Sequence, residues 1–388
     1  IDVMIGVGVA SAFYGFLQKT NLEFILGSGD RQRIFGTIGN PALFAGYQIL
    51  VAYLAATLSF TRLLTANRIL WYRIASGIMI FAAMSTAVRG SIVVATLAFL
   101  LLASTYNKNQ RAKRALLGFV AVCAVFVFFA LTFKDSSLVQ GSPYLRRITD
   151  FSSSTFTVQT RFWAWDAGIK GWSDSPKTVL LGWGPENFNV PFSHYFNPKF
   201  FTGPGAETFF DRAHNMFVEV LVTMGLIGEI TYILLFVTVF MTLASFMKQE
   251  GDMRMLGIGF VSLVIAYMIH NAFIFDTSAN FLTFFMILGY IVHVSVRGID
   301  AMPAKSASGS RPWTTGQTLG AFGLSIVALV TVFNTNVAPA VANYASTRAI
   351  IAGWQGDFAG AVKKYREAID ANTDGRYEFR HRHAQYLL

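Results

Sequence analysis

The stretch DRAHNMFVEVLVTMGLIGE, Asp211 to Glu229, carries four polar residues among its first five and then turns apolar. Ionisable side chains are costly in or near lipid, where they face a protein interior or a cavity. Arg212, His214 and Asn215 at the mouth of a hydrophobic segment therefore either cap a helix at a bilayer surface or do chemistry there. The choice turns on the rest of the chain. Of its 388 residues 54% are hydrophobic and 13% charged, with 37 Phe, whereas soluble domains carry about 25% charged residues. Lipid is the solvent this composition fits, and the expected fold is all-α, a polytopic integral membrane protein.

Apolar runs of roughly 17–25 residues cross a bilayer as helices. About nine are legible, near 1–17, 42–60, 70–88, 91–105, 115–133, 217–247, 255–275, 280–296 and 318–333. Short connections holding Arg62, Arg68 and Arg73, then Lys108, Arg111, Lys113 and Arg114, then Lys248 and Arg254, then Arg297, Lys305 and Arg311 all fall on one side of a nine-span chain. The positive-inside rule makes that side cytoplasmic. Topogenesis thus accounts for most of the net charge of +10, and no nucleic-acid partner is needed to explain it. The opposite side receives segment 18–41, the turn at Arg89, a large loop over about 134–213, the turn at Asp276 and a tail over 334–388, so the expected domains are 1–333 and 334–388. Cys123 is the one cysteine and lies in an apolar run, so no disulfide framework forms. Ile1 opens inside an apolar run without a signal-peptide n-region, which reads as part of a longer chain.

The tail AIIAGWQGDFAGAVKKYREAID places Ala361, Tyr365 and Ala368 on one helix face after a Gly-Asp turn. Small residues at that spacing suit the second helix of a tetratricopeptide repeat, and a plain amphipathic helix is the competing reading. Such repeats need neighbours, so the chain is expected to continue past Leu388.

In the opening stretch, Asp211 is a reasonable N-cap, which would put Arg212 and His214 in the first helical turn. The N-terminal N–H groups and dipole there suit an anion. Arg212 would add charge-assisted bonds to a phosphate, and neutral His214 would accept a proton from a hydroxyl. Gly225 and Gly228 would let another helix approach closely. The bland reading is that Arg212 and His214 merely snorkel to the interface. Glu186 in GWGPENF is an alternative base or simply part of a turn, and His270 in MIHNAFIFD suits an interhelical hydrogen bond. His194, Glu207, Asp211 and His214 lack the tight spacing of a metal site. No nucleotide-binding loop is present: the glycines of ILGSGDRQRIFGTIG lack the Lys-Ser/Thr ending.

His214-Asn215, nine residues, Gly225, two residues, Gly228 resembles the motif of the O-antigen ligase and polymerase family. RIFGTIGNPALFAGY resembles the family's Arg–Gly–Asn-Pro opening of a span, with Ala42 where a second Asn is common. STAVRGS resembles its Ser-Arg turn, with Val88 before Arg89, and QTRFWAWDAGIKGWSDSPKTVLLGWGPENF resembles its Arg, Trp, Pro and Gly-x-Gly loop. Together these cover most of 31–230 in family order.

The resemblance implies transfer of a glycan from an undecaprenyl-diphosphate donor to an acceptor hydroxyl on the extracytoplasmic face of the bacterial inner membrane, with no metal or other cofactor. It implies His214 as the base that activates the acceptor, with Arg89, Arg161 and Arg212 holding the diphosphate and Asn215, Gly225 and Gly228 supporting. Arg33 joins the arginines, with Arg31 as its alternative. The acceptor would be a lipid, a glycan or a protein side chain, the tail would present a protein acceptor or bind an assembly partner, and membrane lipids would surround the spans. Two readings of other classes stand beside this one. A polyprenyl-lipid transporter or flippase would show repeated halves, broken helices and deep charges, and a non-catalytic scaffold would act through its tail.

Overall fold

The computed structural model describes residues 1–20, 33–88, 132–141, 156–202, 208–298, 314–373 and 375–387, with single positions at 114, 118, 121, 125, 128, 129 and 149. The expected spans near 91–105 and 115–133 lie outside these residues or touch them only at single positions. Among the described residues the fold is helical without strands, as the hydropathy requires.

The chain divides into two compact units, Ile1–Ala304 and Lys305–Leu388. The first unit is a bundle of α1 (Asp2–Leu17), α2 (Pro41–Ser59), α3 (Ala66–Ser85), α7 (Met216–Met247), α8 (Gly251–Asn271) and α9 (Ser278–Arg297). Among the described residues the large loop ahead of α7 includes α4 (Phe156–Trp172), α5 (Pro176–Leu181) and α6 (Asn189–His194), with single helical turns at Ser137–Gln140 and Pro198–Thr202. The second unit comprises α10 (Thr315–Val332), α11 (Ala338–Trp354), α12 (Phe358–Asp370) and α13 (Arg376–Leu387).

Helix α2 is the axis of the bundle: 89% of its span is buried, against 28% for α7 and 39% for α9. The axis begins where the sequence can start a helix. Asn40 caps it by accepting the Ala42 N–H at 2.8 Å, and Pro41 takes the first helical position, where no N–H is needed. Glycines set the closest packing in the bundle. A Cβ on Gly8 of α1 would lie 2.6 Å from Met79 Sδ, and one on Gly259 of α8 would lie 2.3 Å from the Thr57 side chain. Helices α2, α7, α8 and α9 are long and apolar enough to cross a membrane, and so is the continuous helix Thr315–Trp354, whereas α1 is shorter. This is a multi-pass membrane protein.

Two boundaries differ from those read in the sequence. Helix α3 starts at Ala66, so Arg68 and Arg73 lie within it. The ion pair of Arg68 with Asp2 and the bond from Arg73 Nη2 to Ser59 O at 3.3 Å hold both arginines against neighbouring helix ends. In the second unit α10 runs through a π turn, Phe333–Val337, into α11, and the boundary at 333/334 falls on that turn. Ala361, Tyr365 and Ala368 of α12 are all buried, as their spacing predicts.

The bundle has two distinguishable ends. Asn280 at the start of α9 reaches Leu43 O at the start of α2, and Arg33 Nε donates to Thr86 O just after α3 at 2.9 Å. Phe275, between α8 and α9, touches His214 ahead of α7. These residues share one end. At the other, Arg62 N donates to Asp252 Oδ2, joining the α2–α3 connection to the first turn of α8.

Candidate active site

The large loop folds around its own aromatic core. Phe188, Phe192, Phe200 and Phe210 pack with Ala164 and Ala167 of α4, and Val222 of α7 completes the cluster. This core brings α4 and α5 against the first turns of α7 and so sets the backbone around residue 213.

Ala213 is fully buried, and its peptide groups are held from two sides. Its N–H donates to Glu219 Oε2 at 2.7 Å, and its carbonyl accepts from Trp165 Nε1 of α4 at 2.6 Å. The next residue, His214, has φ +52°, a left-handed conformation that costs a side-chain-bearing residue about 1–2 kcal/mol. Such strain persists where surrounding structure over-determines it. Here the clamp on Ala213 does so, with the cap that follows. Asn215, not Asp211, is the N-cap of α7, and its Oδ1 accepts the N–H groups of Phe217 at 3.0 Å and Val218 at 3.3 Å. Arg212 and His214 therefore precede the helix instead of lying in its first turn. Asp211 is exposed.

Arg212 lies between two carboxylates. Its Nη1 is 3.4 Å from Glu219 Oε1, its Nη2 pairs with Glu186, and its guanidinium sits over the Phe275 ring at 5.6 Å. Burial works against its charge, but Glu186 and Glu219 outweigh that and raise its pKa above the usual arginine value. The His214 ring stands edge-on to Phe210 and Phe275 at 5.3 and 5.2 Å, with Nδ1 3.2 Å from Arg212 O. When Nδ1–H donates to that carbonyl, the ring's lone pair lies on Nε2, the tautomer a general base needs.

Gly225 lets another helix approach closely, as its spacing predicts, whereas Gly228 does not. Gly225 breaks α7, with φ +66° and ψ −169°, and a Cβ there would lie 2.4 Å from the Leu180 carbonyl of α5. Gly182, at φ +69°, mirrors it: its Cβ would lie 2.3 Å from the carbonyl carbon of Thr223. Across this contact Trp183 N donates to Val222 O at 3.1 Å and Gly184 N to Thr223 O at 2.7 Å, satisfying carbonyls left unpaired at the break. Gly228 makes room for its own helix, since a Cβ there would meet Met224 Cβ at 2.2 Å.

Arg161 lies on α4 one turn before Trp165, on the helix face that reaches Ala213. Arg33 sits at the same end of the bundle, bound to Thr86 O. Arg89, three residues beyond Thr86, lies outside the described residues, as do Arg31 and Glu207. His270 is buried on α8, where its ring packs against Gly46 of α2. Among the described residues no group of three or more His, Cys, Asp or Glu is arranged to hold a metal ion.

Residues 74–233 match the family model described as O-antigen ligase. Over that segment the chain is similar to O-antigen ligases. Its chemistry in general is therefore glycosyl transfer of the ligase or polymerase type. No curated protein matches the chain. The matched segment includes Arg89, Arg161, Arg212, His214 and both motif glycines, but it ends before Phe275, which the fold supplies to it from the α8–α9 turn. Sequence reasoning missed Phe275, Glu219 and Trp165. For Glu219 a signal existed, an acid in an apolar run four residues after the Asn cap. For Phe275 none did.

Proposed function

We propose that the protein transfers a glycan from an undecaprenyl-diphosphate donor to an acceptor hydroxyl, on the extracytoplasmic face of the bacterial inner membrane and without a metal. The observation that carries this reading is the clamp on Ala213, which holds His214 and Arg212 side by side at one end of the bundle. In the proposed step the acceptor oxygen attacks the anomeric carbon as its proton passes to His214 Nε2. The bond from that carbon to the diphosphate breaks, the electron pair leaves with the diphosphate, and the configuration inverts. Arg212 and Arg161, with Arg33 and Arg89, would meet the growing negative charge, a task suited to fixed guanidiniums in a partly dry site. Orientation is supported by the opposite end, where the connections with Arg62 and Lys248 lie. The acceptor is a lipid, glycan or protein hydroxyl. The tail, whose α12 face resembles a tetratricopeptide helix, is assigned to a protein partner.

One observation favours a second reading. The break in α7 at Gly225 is a feature a polyprenyl-lipid transporter would also show. A single assay separates the two. Wild type and His214→Ala, purified in detergent, are given an undecaprenyl-diphosphate glycan with and without candidate acceptors, and release of undecaprenyl diphosphate is followed. Acceptor-dependent release that disappears in His214→Ala is expected. Release unchanged in that variant removes His214 as the base, and no release by a protein that binds the lipid favours transport.

A further inference from the structure

The two carboxylates on Arg212 are unlike. The Glu219 side chain is 3% exposed and also accepts the Ala213 N–H, so it is built into the fold. The Glu186 side chain is 71% exposed. Glu186 stands at φ +68° in a turn that also holds Gly182 and Gly184 at φ +69° and +97°, a backbone unusual for a residue with a side chain. The strained turn presents the carboxylate to Nη2, while Phe275 covers the guanidinium face and Glu219 takes Nη1. The Nη2 edge is thus the one an oxyanion arriving from outside would reach, and Glu186 holds it.

We propose that Glu186 is an exchangeable placeholder, whose carboxylate yields Nη2 to a phosphate oxygen of the diphosphate donor, while Glu219 is the fixed positioning residue that keeps Arg212 and the Ala213–His214 peptide in place. This rests on the reading of Arg212 as a diphosphate-binding residue. Carboxylate and phosphate oxygens compete for the same guanidinium fork, and a diphosphate brings more charge than one carboxylate. An ion pair with so exposed a partner holds by less than about a factor of five, so it is readily exchanged. The buried pair is not, because its release would strand a charge away from water. Neutralising the two acids should therefore have opposite consequences.

The test uses the full chain in detergent and measures undecaprenyl diphosphate binding, donor KM and kcat for wild type, Glu186→Gln, Glu186→Ala, Glu219→Gln and Arg212→Lys. Both Glu186 variants are expected to bind undecaprenyl diphosphate about two- to fivefold more tightly, with donor KM falling in step. Glu219→Gln, whose amide still accepts the Ala213 N–H, is expected to show no tightening and at least a tenfold lower kcat. Inorganic pyrophosphate should compete away the tightened binding, and phosphatidylglycerol micelles should not. Competition by phosphatidylglycerol alone would reassign Nη2 to membrane headgroups and overturn the donor assignment. Weaker or unchanged binding in both Glu186 variants, with Arg212→Lys still losing the ligand, defeats the exchange and leaves the diphosphate reading standing. Equal binding by wild type and Arg212→Lys defeats both.

Discussion

Replacing Gly225 by alanine probes the contact on which the site is built. The glycine stands at φ +66° and ψ −169°, a region open to glycine alone, so a side chain there costs about 1–3 kcal/mol in strain. The new Cβ would meet Leu180 C and O at 2.4 Å and Leu181 N at 2.5 Å. These are backbone atoms that cannot rotate away, and overpacking of this kind adds about 1–3 kcal/mol. Separating α5 from α7 also endangers the Trp183–Val222 and Gly184–Thr223 hydrogen bonds, worth about 1 kcal/mol each. With both bonds lost the sum, about 4–8 kcal/mol, is a large part of the 5–15 kcal/mol typical of a folded domain. In a thermal melt of detergent-solubilised protein, Gly225→Ala should lower Tm by at least about 6 °C and reduce transfer. Two glycines calibrate the measurement. Gly39 has φ +83° with nothing near its Cβ position, so Gly39→Ala should cost about 1 kcal/mol from strain alone. Gly289 is helical and open, so Gly289→Ala should be neutral or stabilising. A Tm for Gly225→Ala within a degree of that for Gly39→Ala would refute the argument that backbone contact with α5 builds the break.

The other predictions concern chemistry and pH. Arg161→Lys and Arg212→Lys should each lose most transfer activity, since an ammonium cannot replace the guanidinium fork; full activity would demote them to lipid contacts. Asp276 lies in the α8–α9 turn, and its pKa is pushed up to about 6 by burial, against the hydrogen bonds donated by Tyr267 and Asn271. A carboxyl whose folded pKa is raised binds its proton more tightly when folded, so its contribution to stability falls as pH rises from about 4 to 6. Asp276→Asn should remove that component, raising Tm at pH 7 relative to pH 4 when compared with wild type; an unchanged pH profile would show that Asp276 is not the titrating group. Transfer should survive EDTA, and inhibition restored by a divalent ion would overturn the metal-independent mechanism.

The spans of α2, α7, α8 and α9 were legible to within about four residues, because burying backbone in lipid demands long apolar runs and each run is local. The start of α2 was legible for a similar reason: Asn40-Pro41 satisfies the helix end with its own side chain. The start of α7 was not. Asp211 and Asn215 are both competent caps, four residues apart, and local chemistry does not choose between them. Trp165 and Glu219 choose, by holding Ala213 and leaving His214 in a conformation that no helix continues. The glycine motif shows the same division. The sequence places Gly225 in a spaced motif and Gly182 in a Gly-x-Gly loop, but only the folded chain shows that they face each other across a break.

The sequence by itself determined an all-helical membrane bundle, the family resemblance and the polar cluster ahead of α7, since hydropathy and motif spacing are properties of neighbouring residues. The tertiary structure alone decided which carboxylates hold Arg212, that Phe275 joins the cluster, and that Gly225 ends a half-helix. Those contacts bring together α4, α5, α7 and the α8–α9 turn, segments up to about a hundred residues apart. Burial and hydrogen-bond partners at such separations exist only once the chain has packed.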